Sequence, residues 1–127
     1  MAKFSKRSME RLLECHLDLQ ALFNEAIKDF DLTIITGYRG QAEQDQAFAD
    51  GRSKLKFPMG RHNQMPSMAV DACPSPYNWE KDEPPIKELD AHLKKTADRL
   101  GIDIVYGGDW VGFKDTDHWE LKQKGDV

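Results

Sequence analysis

Apolar residues in two stretches of the chain recur at three- and four-residue steps, and this periodicity restricts the fold more than any other feature. Such spacing marks one face of an amphipathic helix. The first stretch is Leu19, Leu22, Phe23, Ala26, Ile27 and Phe30, and the second is Ile86, Leu89, Leu93, Ala97 and Leu100. They predict helices over about Leu17–Asp29 and from Ile86 to a cap at Gly101. Shorter helices are predicted around Ser8–Glu14 and over Gln41–Asp50.

Four short segments between the predicted helices and turns predict strands. They are Leu32–Thr36, Met68–Cys73, Ile102–Tyr106 and His118–Leu121. Helices and strands do not alternate regularly, as they do in the βαβ units of a parallel sheet. We therefore predict an α+β fold in which a small, mostly antiparallel sheet packs with about three main helices. The length of 127 residues suits one domain, residues 1–127.

The charge balance and the short apolar runs limit the functions that the chain can have. A formal net charge of −4 disfavours nonspecific binding of nucleic acid, which needs an excess of Lys and Arg. No run approaches the roughly 20 apolar residues of a membrane span, and the first residues lack the apolar stretch of a signal peptide. We therefore expect a protein that does not insert into membranes and stays in the cytoplasm where it is made. Cys15 and Cys73 are then expected to stay reduced.

A loop of about sixteen residues, 52–67, follows the helix predicted over Gln41–Asp50. A loop this long in a small domain is often functional. His62 lies in this loop, Asp71 in the strand after it, and His118 in the last strand. Two histidines and one carboxylate can supply three protein ligands to Zn²⁺ and leave a fourth position for water, as in catalytic zinc sites. The sequence thus offers a candidate zinc site, although no spacing in it is specific on its own.

A water activated by a metal needs a general base that is not itself a ligand. Side chains alternate between the faces of a strand, so Asp117 and Trp119 are expected to point away from the face that carries His118. Glu120 shares the face of His118, and Asp115 can reach the site from the turn before the strand. These residues alone leave the choice between Asp115 and Glu120 open.

Three further polar residues have a structural and a functional interpretation. Arg39 follows a predicted strand, where its guanidinium either binds a substrate carboxylate or an oxyanion or is simply exposed in a turn. His16 and His92 lie in predicted helical stretches, and we interpret both as structural or exposed.

Four ordered motifs span much of the chain: Thr36-Gly37-Tyr38-Arg39 with Glu43-Gln44, His62-Asn63-x-x-Pro66-Ser67-x-Ala69-Val70-Asp71, Gly107-Gly108-Asp109-Trp110, and Asp115-x-x-His118-Trp119-Glu120-Leu121. Together they resemble the motifs of the zinc peptidases of the L-alanyl-D-glutamate type. These peptidoglycan endopeptidases serve as bacteriophage endolysins and are related to D-alanyl-D-alanine carboxypeptidases and dipeptidases. With a similar opening segment, the resemblance runs from about residue 4 to residue 121.

The resemblance implies a role for each of these site residues. His62, Asp71 and His118 would be the zinc ligands, Asp115 the catalytic carboxylate, and Arg39 the cation that polarises the scissile carbonyl. It also implies a fold like that of the D-alanyl-D-alanine peptidases and the hedgehog signalling domain. The substrate would be the peptidoglycan stem peptide, cut between L-Ala and D-Glu. An endolysin of this kind is expected to be a monomer that stays in the host cytoplasm until a holin permeabilises the membrane and gives it access to the cell wall.

The chain departs from the family pattern in two places, and two other functions remain open. Gly60 stands where many members have Ser or Thr, and residues 72–85 do not align with the pattern. A D-alanyl-D-alanine carboxypeptidase or dipeptidase would need a cation for the terminal carboxylate, and Arg61 and Lys114 are the candidates for it. A zinc-bearing module without catalysis is the second alternative, against which the presence of both Asp115 and Arg39 argues.

Overall fold

The computed structural model describes residues 2–76, 83–112 and 114–122, which form four α-helices and four strands. The helices are α1 Lys6–Leu12, α2 Leu17–Ala26, α3 Gln41–Ala49 and α4 Glu83–Leu100, and the strands are β1 Leu32–Thr36, β2 Ala69–Pro74, β3 Ile104–Tyr106 and β4 His118–Leu121. Two single turns of 3₁₀ helix, Arg61–Asn63 and Gly107–Asp109, lie in the loops before β2 and after β3. None of the described helices is long and apolar enough to cross a membrane.

The first two helices begin at side-chain caps that the sequence supplies. The Ser5 hydroxyl accepts a hydrogen bond from the backbone N–H of Ser8 (3.2 Å), and His16 Nδ1 accepts one from the N–H of Asp18 (3.0 Å). Each cap satisfies an amide that the first helical turn leaves without a partner. His16 therefore has the structural role that was predicted for it.

The four strands form one antiparallel sheet in the order β1-β2-β4-β3. The two central strands, β2 and β4, pair so that Asp71 lies directly opposite His118 and Val70 lies opposite Trp119. Side chains alternate between the two faces of a strand. One face of this central pair therefore carries Asp71 and His118, and the other carries Val70 and Trp119.

The face that carries Trp119 forms the hydrophobic core with α2 and α4. Val70 and Ala72 of β2 and the apolar stripes of both helices belong to one buried cluster. Trp119 is fully buried, stacks on the Tyr106 ring with centroids 4.9 Å apart, and donates its indole N–H to Asp90 of α4 (3.0 Å). The opposite face of the central strands is thus left to polar residues.

The predicted α+β class with a small antiparallel sheet is confirmed, and the differences lie at the ends of elements. β3 begins at Ile104 rather than Ile102, because Gly101, with φ +73°, ends α4 and the N–H of Ile102 still bonds to the carbonyl of Ala97 (2.9 Å). Leu100, placed in the apolar stripe of this helix, is 41% exposed. The segment of residues 72–85, which does not align with the family pattern, lies in part outside the described residues, at residues 77–82.

Candidate metal centre

The structure brings His62, Asp71 and His118 together on the polar face of the sheet. Three potential ligand atoms, one from each residue, lie within 4.8 Å of one another, and all three residues are buried. Asp71 Oδ1 is 3.1 Å from His62 Nε2 and 3.2 Å from His118 Nδ1. His62 comes from the 3₁₀ turn, whereas the other two are the paired residues of β2 and β4. The three candidate ligands predicted from the sequence therefore form one cluster.

The orientation of the His62 ring is fixed by the backbone of the loop after β1. His62 Nδ1 lies 2.8 Å from the carbonyl oxygen of Gly37. A carbonyl only accepts hydrogen bonds, so Nδ1 carries a hydrogen, and Nε2 is the nitrogen that faces Asp71. The carbonyl of His62 in turn accepts from the N–H of Arg39 (2.8 Å), which ties the 3₁₀ turn to the same loop.

The His118 ring is fixed from its other side by a carboxylate. His118 Nε2 donates to Glu120 Oε1 (2.8 Å), and Glu120 Oε2 forms an ion pair with Arg61 Nε (3.4 Å). Nδ1 is thereby left to face Asp71. Burial lowers the pKa of His118, but the hydrogen bonds to Asp71 and Glu120 outweigh it and raise the pKa to about 10. In the protein without a metal, this ring therefore holds two protons at neutral pH.

Asp71 is held in its ionised form. Burial raises the pKa of its carboxyl group, but the charges and hydrogen bonds of His62 and His118 are stronger and hold the pKa well below its usual range. Asp71 Oδ2 also accepts a hydrogen bond from Arg39 Nη2 (3.1 Å). A buried carboxylate with these partners is ready to bind a cation.

The donor set fits a divalent metal ion. Two imidazole nitrogens and one carboxylate oxygen converge, and each histidine has a partner on its other nitrogen that sets its tautomer, as is usual for metal-binding histidines. Three protein ligands are also the number at catalytic zinc sites, which leave one position for water or substrate. His62, Asp71 and His118 are thus a group that could bind a metal ion.

The structure distinguishes Asp115 from Glu120, the two candidates for the general base that the sequence left open. Asp115 Oδ2 is 3.8 Å from His118 Nδ1, the nitrogen that faces Asp71. Glu120 instead binds the far nitrogen of the same ring. Asp115 is held in place by the bond from its N–H to the carbonyl of Gly107 (3.0 Å). Asp115 therefore lies beside the candidate ligand atoms, and Glu120 lies behind the ring.

The expectation that Asp117 points away from the site is wrong. One carboxylate oxygen each of Asp71, Asp115 and Asp117 lies within 4.8 Å of the others, in a second group that shares Asp71 with the first. Asp117 precedes β4, so the alternation of side chains along a strand does not apply to it. Burial, helped by the hydrogen bond with Asp115, raises the pKa of Asp117 to about 8. Trp119, by contrast, points into the core as predicted.

Arg39 lies in the site and is not an exposed turn residue. Only 13% of its side chain is exposed. One end of its guanidinium bonds to Asp71, and Nη1 donates to Gln44 Oε1 (3.2 Å). Sequence reasoning gave Gln44 no role beyond its place in a motif. Gln44 and Ala47 are the two buried residues of α3. Their three-residue spacing, which puts both on one face of the helix, is the sequence feature that could have indicated burial of Gln44.

The departure from the family pattern at Gly60 has a steric reason. A Cβ atom there would lie 2.6 Å from Asn63 Oδ1 and 3.0 Å from Gln44 Oε1. Asn63 Oδ1 accepts from the N–H of Gly60 (2.8 Å), and its Nδ2 donates to the carbonyl of Arg39 (2.9 Å). The Asn63 amide thus occupies the space beside Gly60 and supplies hydrogen bonds to the site from there.

Two of the three candidate ligands, His62 and His118, line a cleft with a volume of about 300 Å³. Trp110 lines this cleft, with its ring centroid 5.2 Å from that of His118, whereas Trp119 packs in the core. The remaining lining includes several cations, among them Arg39, Arg52 and Arg61. The carboxylates of Asp115 and Glu120 and the apolar side chains of Leu55 and Val111 also line it.

The other residues considered from sequence lie elsewhere or have other partners. His92 stacks on Phe30 and lies 3.1 Å from the carbonyl of Ala26. Cys15 and Cys73 are buried and free, and burial raises the pKa of both thiols, that of Cys73 to about 11. These residues take no part in the cluster.

Buried histidines and a carboxylate that converge at an open cleft, with a further carboxylate beside them, are typical of metal-dependent hydrolases. The sequence model of the phage L-alanyl-D-glutamate peptidases matches residues 1–125, and the chain belongs to this family. It is therefore a peptidase by family, as the resemblance predicted.

Two similar proteins agree with this assignment. The L-alanyl-D-glutamate peptidase of Escherichia phage T5 is 29% identical over 126 residues, which are 95% of this chain and 90% of that protein. The crystal structure of the L-Ala D-Glu endopeptidase ChiX of Serratia marcescens matches with a TM-score of 0.77 at 24% identity, over 94% of this chain and 90% of the other. The structural match shows that the fold is shared.

Proposed function

We propose that this protein is a zinc-dependent peptidoglycan endopeptidase, with residues 1–127 as its single catalytic domain, that hydrolyses the L-alanyl-D-glutamate bond of the stem peptide. The observation that carries the proposal is the buried cluster of His62, Asp71 and His118 at a cleft, in a chain of this family. His62 Nε2, the Asp71 carboxylate and His118 Nδ1 would hold the zinc ion. Zinc bound there supplies Lewis acidity, which lowers the pKa of water and polarises a carbonyl.

Asp115 is the residue we propose as general base and then general acid. It is not one of the three ligands, its side chain is 27% exposed, and it lines the cleft beside the cluster. Its carboxylate takes a proton from the attacking water and passes that proton to the amine of D-Glu when the peptide bond breaks. Glu120 lines the same cleft, but its two carboxylate oxygens are engaged by His118 Nε2 and Arg61 Nε, so we do not propose it as the base.

Arg39 supplies positive charge for the oxygen of the scissile carbonyl. That oxygen becomes an oxyanion in the tetrahedral transition state, and a fixed guanidinium at the cleft stabilises it without reorganisation. The bonds of Arg39 to Asp71 and Gln44 hold the charge at the cleft before substrate arrives.

The test is mass spectrometry of a muropeptide that carries both an L-Ala-D-Glu bond and a D-Ala-D-Ala end. We expect cleavage between L-Ala and D-Glu with zinc and none after chelation. Loss of the terminal D-Ala alone would instead identify a carboxypeptidase. Intact substrate, with metal analysis showing bound zinc, would identify a module without catalysis, and a different metal in the purified protein would refute the choice of zinc.

The variant Asp115→Asn separates catalysis from metal binding. We expect its kcat to fall by about 10²- to 10⁴-fold, the usual contribution of a general base, while zinc stays bound. Asp98→Asn, which changes an exposed carboxylate on α4, is the matched control and should keep full activity. Full activity of Asp115→Asn would show that another group is the base.

The carboxypeptidase alternative receives little support from the cations considered for it. Arg61 Nη2 donates to the carbonyl of Leu121 (2.6 Å), and its Nε pairs with Glu120. Lys114 lines a neighbouring cavity with Asp71 and Asp115 rather than the cleft itself. A terminal carboxylate would have to displace the existing partners of Arg61.

We further propose that the protein is a monomer that waits in the host cytoplasm and reaches the cell wall after a holin permeabilises the inner membrane. Its family supports this role. Cells of a Gram-negative host that express the protein should lyse only after the membrane is permeabilised. Lysis without permeabilisation would refute the need for a holin, and light scattering of the purified protein tests the monomer.

A further inference from the structure

Gln44 uses every hydrogen-bonding position of its side chain. Its Oε1 accepts from Arg39 Nη1 and from Asn63 Nδ2, both at 3.2 Å. Its Nε2 donates to Ser53 Oγ (3.0 Å) and to the carbonyl of Leu55 (2.6 Å). An amide has two acceptor sites and two donor hydrogens, so the set is complete.

The burial of Gln44 makes this set informative. The residue is 1% exposed, in a helix position where an apolar side chain would serve packing alone. Burying an amide costs free energy unless its hydrogen bonds are made. The presence of a glutamine there therefore indicates a requirement for these particular partners.

The four hydrogen-bond partners of Gln44 lie on two sides of its amide group. On one side are Arg39 and Asn63, which belong to the loop after β1 and the 3₁₀ turn that carries His62. On the other side are Ser53 and Leu55, which line the cleft. Gln44 thus connects the guanidinium to the cleft wall through one rigid amide.

The guanidinium of Arg39 forms a side-chain hydrogen bond at each Nη. Nη2 binds Asp71, and Nη1 binds Gln44. Two bonds at different nitrogens fix the plane of the group as well as its position. With the bond to Asp71 alone, the plane would be free to turn about that contact, and the charge would no longer be directed at one point in the cleft.

We infer that Gln44 is a positioning residue for catalysis, which fixes the guanidinium plane of Arg39 and ties it to the cleft wall at Ser53 and Leu55. The kinetic part of this inference rests on the proposed function of Arg39. Since Arg39 acts on charge that develops in the transition state, losing its orientation lowers kcat rather than raising KM.

The kinetic test uses Gln44→Met, which keeps the length of the side chain and removes its hydrogen bonds. We expect kcat on the muropeptide to fall about 10- to 100-fold, the scale of a small misplacement of a catalytic group, with KM and bound zinc nearly unchanged. Gln46→Met is the matched control, because Gln46 lies on the same helix but is exposed and bonds to Asp50. Equal kcat values for these two variants and the unchanged protein would overturn the inference.

A double-mutant cycle separates positioning from general stability. If Gln44 acts through Arg39, then Gln44→Met should cost no further activity in a protein that already carries Arg39→Met. If Gln44 only stabilised the fold, its substitution would lower the thermal midpoint and the folded fraction but leave kcat per folded molecule unchanged. The losses of total activity from the two substitutions would then multiply. Multiplying losses would therefore reject the assignment.

The unchanged protein allows a measurement that needs neither a variant nor activity. In ¹⁵N-labelled protein the two Nη groups of Arg39 should give separate NMR signals, because bonds at both nitrogens slow rotation of the guanidinium. Averaged Nη signals would overturn the inference even if Gln44→Met fails to fold. If the muropeptide is not cleaved at all, the proposed function fails, while the NMR result still decides whether Arg39 is held.

Discussion

Zinc binding to the metal-free protein should release about one proton at pH 7. The pKa of His118 is raised to about 10 in the absence of a metal, by its bonds to Asp71 and Glu120 and against the effect of burial. At pH 7 almost every His118 ring therefore carries a proton on Nδ1, which a metal must replace. Ligand deprotonation of this kind makes metal affinity depend on pH.

The size of the effect follows from the gap between pH 7 and the pKa of His118. Removing this proton at pH 7 costs about 4 kcal/mol, since each pH unit below the pKa corresponds to about 1.4 kcal/mol. The dissociation constant for zinc should therefore fall about tenfold for each unit by which the pH rises between 7 and 9.

The stability of the metal-free protein should change with pH in the opposite direction. A histidine whose pKa is higher in the folded than in the unfolded chain stabilises the fold below its unfolded value of 6.5, and this contribution is lost as the pH rises towards about 10. Raising the pH across this range should thus weaken the metal-free fold while it strengthens zinc binding.

Isothermal titration calorimetry at pH 7 in two buffers with different ionisation enthalpies measures the proton count. We expect about one proton for each zinc bound, and the same count in His92→Gln, which changes a histidine outside the cluster. A count near zero, with a dissociation constant that does not change with pH, would refute the protonated state of His118 and the account of its partners.

Two substitutions test the packing that supports the site. Gly60→Ala should lower the free energy of unfolding by about 1 to 3 kcal/mol, the usual cost of overpacking, because the new Cβ would lie 2.6 Å from Asn63 Oδ1. Gly40→Ala, whose Cβ would have its nearest neighbour at 3.8 Å, is the control, and equal urea denaturation of the two variants would contradict the steric argument. Trp119→Phe should cost about 2 to 4 kcal/mol through lost volume and the lost hydrogen bond to Asp90, and a change under 1 kcal/mol in the same assay would show that this bond contributes little.

The periodicity of apolar residues predicted the helices, and residue types predicted the three clustered residues. The apolar stripes located α2 and α4, and the residue types at His62, Asp71 and His118 predicted a cluster before any geometry was available. These features depend on local spacing or on known ligand chemistry, both of which a sequence carries.

The failures concern residues whose surroundings are set by distant parts of the chain. Asp117 was placed by strand alternation, but it lies before the strand begins, and element boundaries are the least certain part of such a prediction. The partners of Gln44 come from three separate segments, so its neighbours along the helix do not reveal its role. The choice between Asp115 and Glu120 likewise needed the position of the His118 ring.

The direct pairing of Asp71 with His118 across the two central strands has a consequence for how the sheet forms. A slip of one residue between β2 and β4 would set Trp119 opposite Asp71 and turn the imidazole into the core, since adjacent residues face opposite sides. A metal ion that needs both side chains can bind only to the native alignment. If the proposed metal binds during folding, it would therefore favour the native register of these strands over the neighbouring ones, and refolding with a chelator would lose this selection.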